Sequence, residues 1–223
     1  MRTARHAILH SIALLMCLAC GAAGAATADQ IASFFRAVQT DDAQTVSRMV
    51  GKVIAPDQIN PVGGEPALVL AAREGSMRVL ETLLATPGIH VDTTAMNGNT
   101  ALMMAAYKRN MPAVQALLEK GAAVNRAGWT PLHYAAAAGD DDVTRLLLAH
   151  GAKVDAVSPA ASGAYTPLMM AAREGHDRTA LLLIGHGADT KLTNGEGLTA
   201  AQIAQRAGKD HVASAISARA TTR

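Results

Sequence analysis

The sequence predicts an all-α solenoid of about six helix–turn–helix units joined by short hairpin loops. Three observations carry that expectation. A ten-residue string recurs as PALVLAAREG at Pro66–Gly75, TALMMAAYKR at Thr100–Arg109, TPLHYAAAAG at Thr130–Gly139, TPLMMAAREG at Thr166–Gly175 and TAAQIAQRAG at Thr199–Gly208. Its first residues stand at 66, 100, 130, 166 and 199, giving steps of 34, 30, 36 and 33, and a period of about 33 residues is the mark of stacked helical repeats. The chain is 50% apolar but only 3% aromatic, so its core must be built from small side chains and close helix approach rather than from large rings.

The first 28 residues stand apart from that pattern. Arg2 and Arg5 make a short basic segment, Ala7–Ala19 is apolar apart from His10 and Ser11, and Ala26-Thr27-Ala28 is an A-x-A string before Asp29. This is the anatomy of a secretory signal peptide over residues 1–28, with cleavage expected before Asp29. The apolar run is shorter than the roughly 20 residues of a membrane span. The other reading is an apolar N-terminal helix packed on the domain. Leu18-Ala19-Cys20-Gly21 also resembles a bacterial lipoprotein processing site, in which Cys20 would carry lipid, although Cys17 stands where an aliphatic residue is usual. The expected setting is therefore periplasmic or secreted, with a membrane-anchored lipoprotein through Cys20 as the alternative.

Loss of the leader changes the composition. Both cysteines go, so the remaining 195 residues have no disulfide or thiol chemistry, and without Arg2 and Arg5 the balance is 18 basic against 18 acidic residues. A near-neutral chain without a basic cluster lacks the footprint of a nucleic-acid binder. No membrane contact is expected unless Cys20 is lipidated.

Residues 29–217 read as the repeat domain. Ile31, Phe34, Phe35 and Val38 fall at helical spacing, and Val46, Met49 and Val50 follow the polar break Thr40-Asp41-Asp42. Alignment of Phe34 with Leu132 sets the start of this first, atypical unit near Ala32, and a terminal unit with a water-facing side suits a cap. Gly51–Glu65, with two prolines and Gly63-Gly64, is a loop. In later units Thr130-Pro131 and Thr166-Pro167 offer a hydroxyl cap and a proline at the first helical position. Leu132, Ala135 and Ala136 mark the buried side, and Gly139 and Gly175 suit a left-handed helix end. Asp140, Asp141 and Asp142 then place negative charge at the start of the second helix. Arg109 stands where the other units have Gly, so that turn is expected to be loose or strained. The 36-residue step places about three extra residues in Val157–Ala164. The unit from Thr199 has a polar second helix, as a C-terminal cap would, and residues 218–223 are expected to fray.

These strings closely resemble the ankyrin repeat, over nearly all of the chain after the leader. The layout is similar to small exported bacterial ankyrin proteins, some of which assist oxidative-stress enzymes such as catalases. The resemblance implies a protein-binding module, a scaffold, adaptor or modulator, and it implies no catalysis. It gives His133 hydrogen bonds within and between repeats, and gives His150, His176 and His186 ordinary places in the pattern; His90 and His211 have none. Met103-Met104 and Met169-Met170 replace the motif His-Tyr pair, and read as adaptable core filler. Their alternative use is in a metal- or oxidant-responsive protein, together with His90 or His211. A host-directed effector is a further alternative. No nucleophile–base pair or phosphate-binding glycine loop emerges, and Gly195-Glu196-Gly197 follows no βαβ strand. No enzyme, cofactor or metal site is expected, and the chain is expected to be a monomer.

A partner of an ankyrin protein lies along the concave side, made by hairpin tips and the exposed edge of each first helix. Carried onto this sequence, that face holds Asn99, Trp129 and Tyr165 just before the repeat strings. It also holds Arg73-Glu74, Tyr107-Lys108 and Arg173-Glu174 after the paired alanines, with Arg126 at a hairpin tip. Unit four has Ala137-Ala138 at that second place. Interface hot spots favour Trp, Tyr and Arg, and Tyr107, Trp129 and Tyr165 all map here. The competing reading is that Trp129 and Tyr165 brace the hairpins against each other.

Overall fold

A computed structural model of the chain describes residues 25–220. Most of the leader, Cys20 included, and the last three residues lie outside the described residues. Within them, helices come as successive antiparallel pairs. The first helices are α1 (Ala28–Gln39), α3 (Ala67–Glu74), α5 (Ala101–Tyr107), α7 (Pro131–Ala138), α9 (Pro167–Glu174) and α11 (Ala200–Arg206). The second helices are α2 (Ala43–Met49), α4 (Met77–Leu84), α6 (Met111–Glu119), α8 (Asp141–Ala149), α10 (Asp177–Gly185) and α12 (Asp210–Ala220). Each first helix packs on the next first helix and each second on the next second, which makes one continuous two-layer stack. No described strand forms; isolated bridges at Ile59–Pro66 and Thr193–Thr199 close hairpin loops. No described helix is long and apolar enough to cross a membrane.

The repeat string explains each first helix. Thr100, Thr130, Thr166 and Thr199 are N-caps in extended backbone. Leu132, Ala135 and Ala136 are fully buried, because alanine lets neighbouring first helices meet without a gap. The third helical residue completes the cap by accepting the backbone N–H of the Thr. In α7 the acceptor is His133 Nδ1, at 3.2 Å from Thr130 N. In α5 and α9 it is a sulfur, Met103 Sδ and Met169 Sδ, each at 3.4 Å. The methionine pairs are therefore core, and the buried sulfurs of Met103 and Met169 are engaged in helix capping.

A second periodic bond fixes the hairpin side. Asp57 accepts the His90 N–H at 3.0 Å, Asp92 that of Ala123 at 3.0 Å, Asn125 that of Lys153 at 2.8 Å and Asp155 that of Asp189 at 3.1 Å. Each carbonyl-type oxygen belongs to one unit and each donor to the next, so these bonds join units rather than build them. Asp41 and Asp141 do the same for the second helices, accepting from Val79 N at 2.9 Å and Thr179 Oγ1 at 2.7 Å.

Two departures from the expected bounds lie at the ends of the array. The first unit begins before Ala32: Thr27 caps α1 through a reciprocal box with Gln30, which adds a turn to the helix. At the other end α12 runs to Ala220, so the helix includes residues 218–220. The extra residues between units four and five include a short 3₁₀ turn, Ala160–Ser162. At the turn after α5, Arg109 holds φ +56°, the left-handed conformation that glycine takes at Gly139 (φ +69°).

Candidate partner-binding site

Units two to six carry a column of equivalent positions: Arg73, Tyr107, Ala137, Arg173 and Arg206. Four have long side chains and the fourth unit has a methyl group. That substitution leaves a notch. A cavity of about 340 Å³ opens there, with Ala137 and His133 as floor, Tyr107 and Arg173 from the flanking units as walls, and Trp129, Tyr134, Met170 and Glu174 around them. The volume lies at the small end of ligand pockets, enough for one large side chain.

Aromatic packing shapes the upper wall. Tyr134 meets Tyr107 edge to face at 6.2 Å and Trp129 at 6.2 Å, and Trp129 stands edge-on to His133 at 5.2 Å. Such tilted pairs are the favoured geometry of quadrupolar rings. The Tyr134 hydroxyl donates to Asn99 Oδ1 at 2.6 Å. Burial pushes its phenol pKa up, only partly opposed by the Asn99 bond and the nearby Arg126 charge, so Tyr134 is a neutral donor. Burial also lowers His133 to about 4, against the opposing pull of its bond to the Tyr165 carbonyl. The floor is therefore uncharged near neutral pH.

The sequence-based face is divided by the structure. Tyr107, Trp129, Arg173 and Glu174 line the cavity. Tyr165 lies beneath Arg173, whose guanidinium sits 5.4 Å above the ring while its Nε donates to Glu174 at 3.0 Å. Asn99 does not line the cavity and accepts the Tyr134 hydroxyl. Arg126 donates to the Gly98 carbonyl at 3.2 Å on the hairpin side, and Lys108 ends α5 beside Tyr107. Arg73 and Glu74 are away from the cavity; Arg73 is tied to Glu65 at 2.8 Å and to Glu74 at 3.1 Å. Tyr134 is the residue sequence reading missed. It shares a place with Met104 and Met170, which are buried, whereas Tyr134 is half-exposed with its ring on the cavity. The same place thus holds a buried thioether in units three and five and a half-buried ring in unit four.

Both readings of Trp129 and Tyr165 have observations behind them. The Tyr165 backbone is a brace: its N–H donates to Ser158 Oγ at 2.9 Å, and its carbonyl accepts from Ser158 N at 2.8 Å and from His133 Nε2 at 3.0 Å. The Trp129 ring remains half-exposed on the cavity. Among the described residues no group of three His, Cys, Asp or Glu side chains converges as a metal site. His90 is paired with Asp57.

Two family descriptions match the chain, both of ankyrin repeats: one of three copies over residues 68–158 and one of many copies over residues 161–204. Human SH3 and multiple ankyrin repeat domains protein 1 is 39% identical over 126 residues, covering 54% of this chain and 6% of that protein. Mouse 2-5A-dependent ribonuclease is 44% identical over 71 residues, 30% of this chain and 10% of the enzyme. Human protein phosphatase 1 regulatory subunit 27 is 33% identical over 89 residues, 39% of this chain and 58% of that subunit. The chain thus spans less than two thirds of each of these relatives.

Proposed function

The chain belongs to the ankyrin repeat family, and from there we propose that it is a protein-interaction module that holds a partner protein against the concave face of units three to five. The observation that carries this reading is the cavity at Ala137. A chain with six aromatic residues gathers Tyr107, Trp129 and Tyr134 around one opening. Folding alone does not require three rings half in water, while a hot spot does. The scaffold and regulatory-subunit relatives support the same class of function. Their own partners belong to them.

The setting we propose is extracytoplasmic, on the strength of the leader-like residues 1–28, with lipid attachment at Cys20 as the variant form. The role is that of a scaffold, adaptor or modulator of another protein in that compartment.

Affinity capture from the extracytoplasmic fraction, using the native chain and the Trp129→Ala and Tyr165→Ala variants, tests the interaction reading when paired with thermal melting. Trp129→Ala should lose capture with little change in melting. Undiminished capture by both variants would remove this face as the binding surface, and parallel loss of capture and melting would establish the bracing role instead.

A further inference from the structure

We propose that the notch at Ala137 receives one large apolar side chain from an acidic segment of the partner. This rests on the interaction-module reading and specifies its ligand. The first part follows from the lining. Ala137 is half-buried between Tyr107 and Arg173, and beside the Arg173–Glu174 pair the lining is aromatic rings, an alanine methyl and the Met170 side chain. Methionine adapts to the shape of an apolar guest. The neutral His133 floor is already satisfied, with Thr130 on one nitrogen and Tyr165 on the other, so a polar guest would find no free partner there.

The second part follows from charge. Glu174, the acid at the rim, is neutralised by Arg173 at 3.0 Å. Arg109 and Arg126 are different. Arg109 donates to the Ala138 carbonyl, next to the floor residue, and Arg126 to the Gly98 carbonyl above Tyr134. Among the described residues neither has a carboxylate partner. The notch therefore has a compensated pair inside and uncompensated positive charge on two sides. Cation binding in the aromatic box would work against that field; carboxylates flanking an apolar anchor would complement it.

Trp129 is the chain's sole tryptophan and stands in the cavity wall, so its fluorescence reports occupancy directly. The probes are short blocked peptides with phenylalanine between Asp and Glu residues, the same peptide with Ala for Phe, and a third with Lys for each acid. The acidic phenylalanine peptide should shift Trp129 emission saturably. The alanine and lysine peptides should bind roughly tenfold more weakly or not at all, and raised salt should weaken the complex. Ala137→Leu fills the notch from a half-buried position and should abolish the shift while the helical spectrum is kept. Arg126→Gln, which leaves the notch open, should weaken binding by roughly two- to fivefold, the scale of an exposed ion pair. Equal or tighter binding of the lysine peptide, unchanged binding by Ala137→Leu, or no binding of the acidic peptide would each overturn the proposal. In those cases, partner capture that still depends on Trp129 would leave the interaction reading standing.

Discussion

Thr130 donates its backbone N–H to Nδ1 of His133 at 3.2 Å, and that bond fixes the tautomer of a ring with no exposed surface. With Nδ1 accepting, the proton sits on Nε2, which donates to the Tyr165 carbonyl of the next unit at 3.0 Å. One neutral imidazole thus closes a helix cap and joins two units. A second proton would place an N–H against the Thr130 N–H in a buried site.

Stability should therefore fall with acid through this residue. Burial lowers the folded pKa of His133 from 6.5 to about 4, so the unfolded chain binds the proton more tightly. The contribution is complete above about pH 6.5 and is lost as pH falls towards 4, where both states are protonated. The shift corresponds to on the order of 3 kcal/mol. Urea denaturation between these pH values should show the midpoint falling steadily; a flat profile would show that the ring titrates freely.

His133→Met should flatten this profile. Met103 and Met169 show that a sulfur can accept the same cap N–H, at 3.4 Å in each case, and it takes no proton. The variant loses the Nε2–H bond to Tyr165, which costs about 1 kcal/mol. It should be the less stable form at neutral pH and the more stable form near pH 4. The crossing of the two denaturation midpoints is the measurement, and parallel curves would place the acid sensitivity elsewhere.

Arg109 separates backbone strain from side-chain bonding. It holds φ +56° and its guanidinium reaches the Ala138 carbonyl. Arg109→Ala keeps the strain and loses the bond, whereas Arg109→Gly loses both. Glycine should be the more stable of the two by about 1 kcal/mol, the cost of a left-handed L-residue. Equal midpoints in chemical denaturation would mean that this turn relaxes.

Gly139 tests a contact between units. A Cβ added there would fall 2.5 Å from the His176 ring, in addition to adopting φ +69°, while Gly151 at φ +81° has nothing within 4 Å. His176 is held in place, its Nε2 bonded to the Ala137 carbonyl at 3.1 Å. Gly151→Ala should cost about 1 kcal/mol from backbone strain alone, and Gly139→Ala roughly 2–3 kcal/mol once overpacking is added. Calorimetric comparison of the two variants decides it.

The repeat architecture was legible because units three to five repeat the same solution: Thr cap, buried Leu, paired Ala, left-handed end. Local chemistry and period agreed. The cavity was less legible because it belongs to no single unit. Register groups Tyr107, Trp129, Arg173 and Glu174, which line one cavity, but the notch comes from Ala137 being small between larger neighbours. The column Tyr107, Ala137, Arg173 contains that signal when read across units. Tyr134 was hidden by equivalence with Met104 and Met170, since register gives a position and not the direction a larger ring must take. The inter-unit bonds from Asp57, Asp92, Asn125 and Asp155 depend on stacking distance, which period alone does not state.

Thr27 sets the last test. Its hydroxyl accepts the Gln30 N–H at 3.2 Å, and the Gln30 side chain accepts the Thr27 N–H at 2.8 Å. A chain processed before Asp29 would lose both bonds and put an α-amino charge at the start of α1, where the helix dipole disfavours it. A protein beginning at Asp29 should then hold its first unit less firmly than one beginning at Ala25, by about 1 kcal/mol or somewhat more. Because a terminal repeat contacts one neighbour only, the loss should be local. Hydrogen exchange should speed up in the amides of Phe34 and Phe35, both buried in α1, with little change in α7. Thr27→Ala in the longer chain should reproduce most of the effect. Unchanged exchange in both proteins would show that burial of α1 against α3, and not its cap, holds the first unit in place.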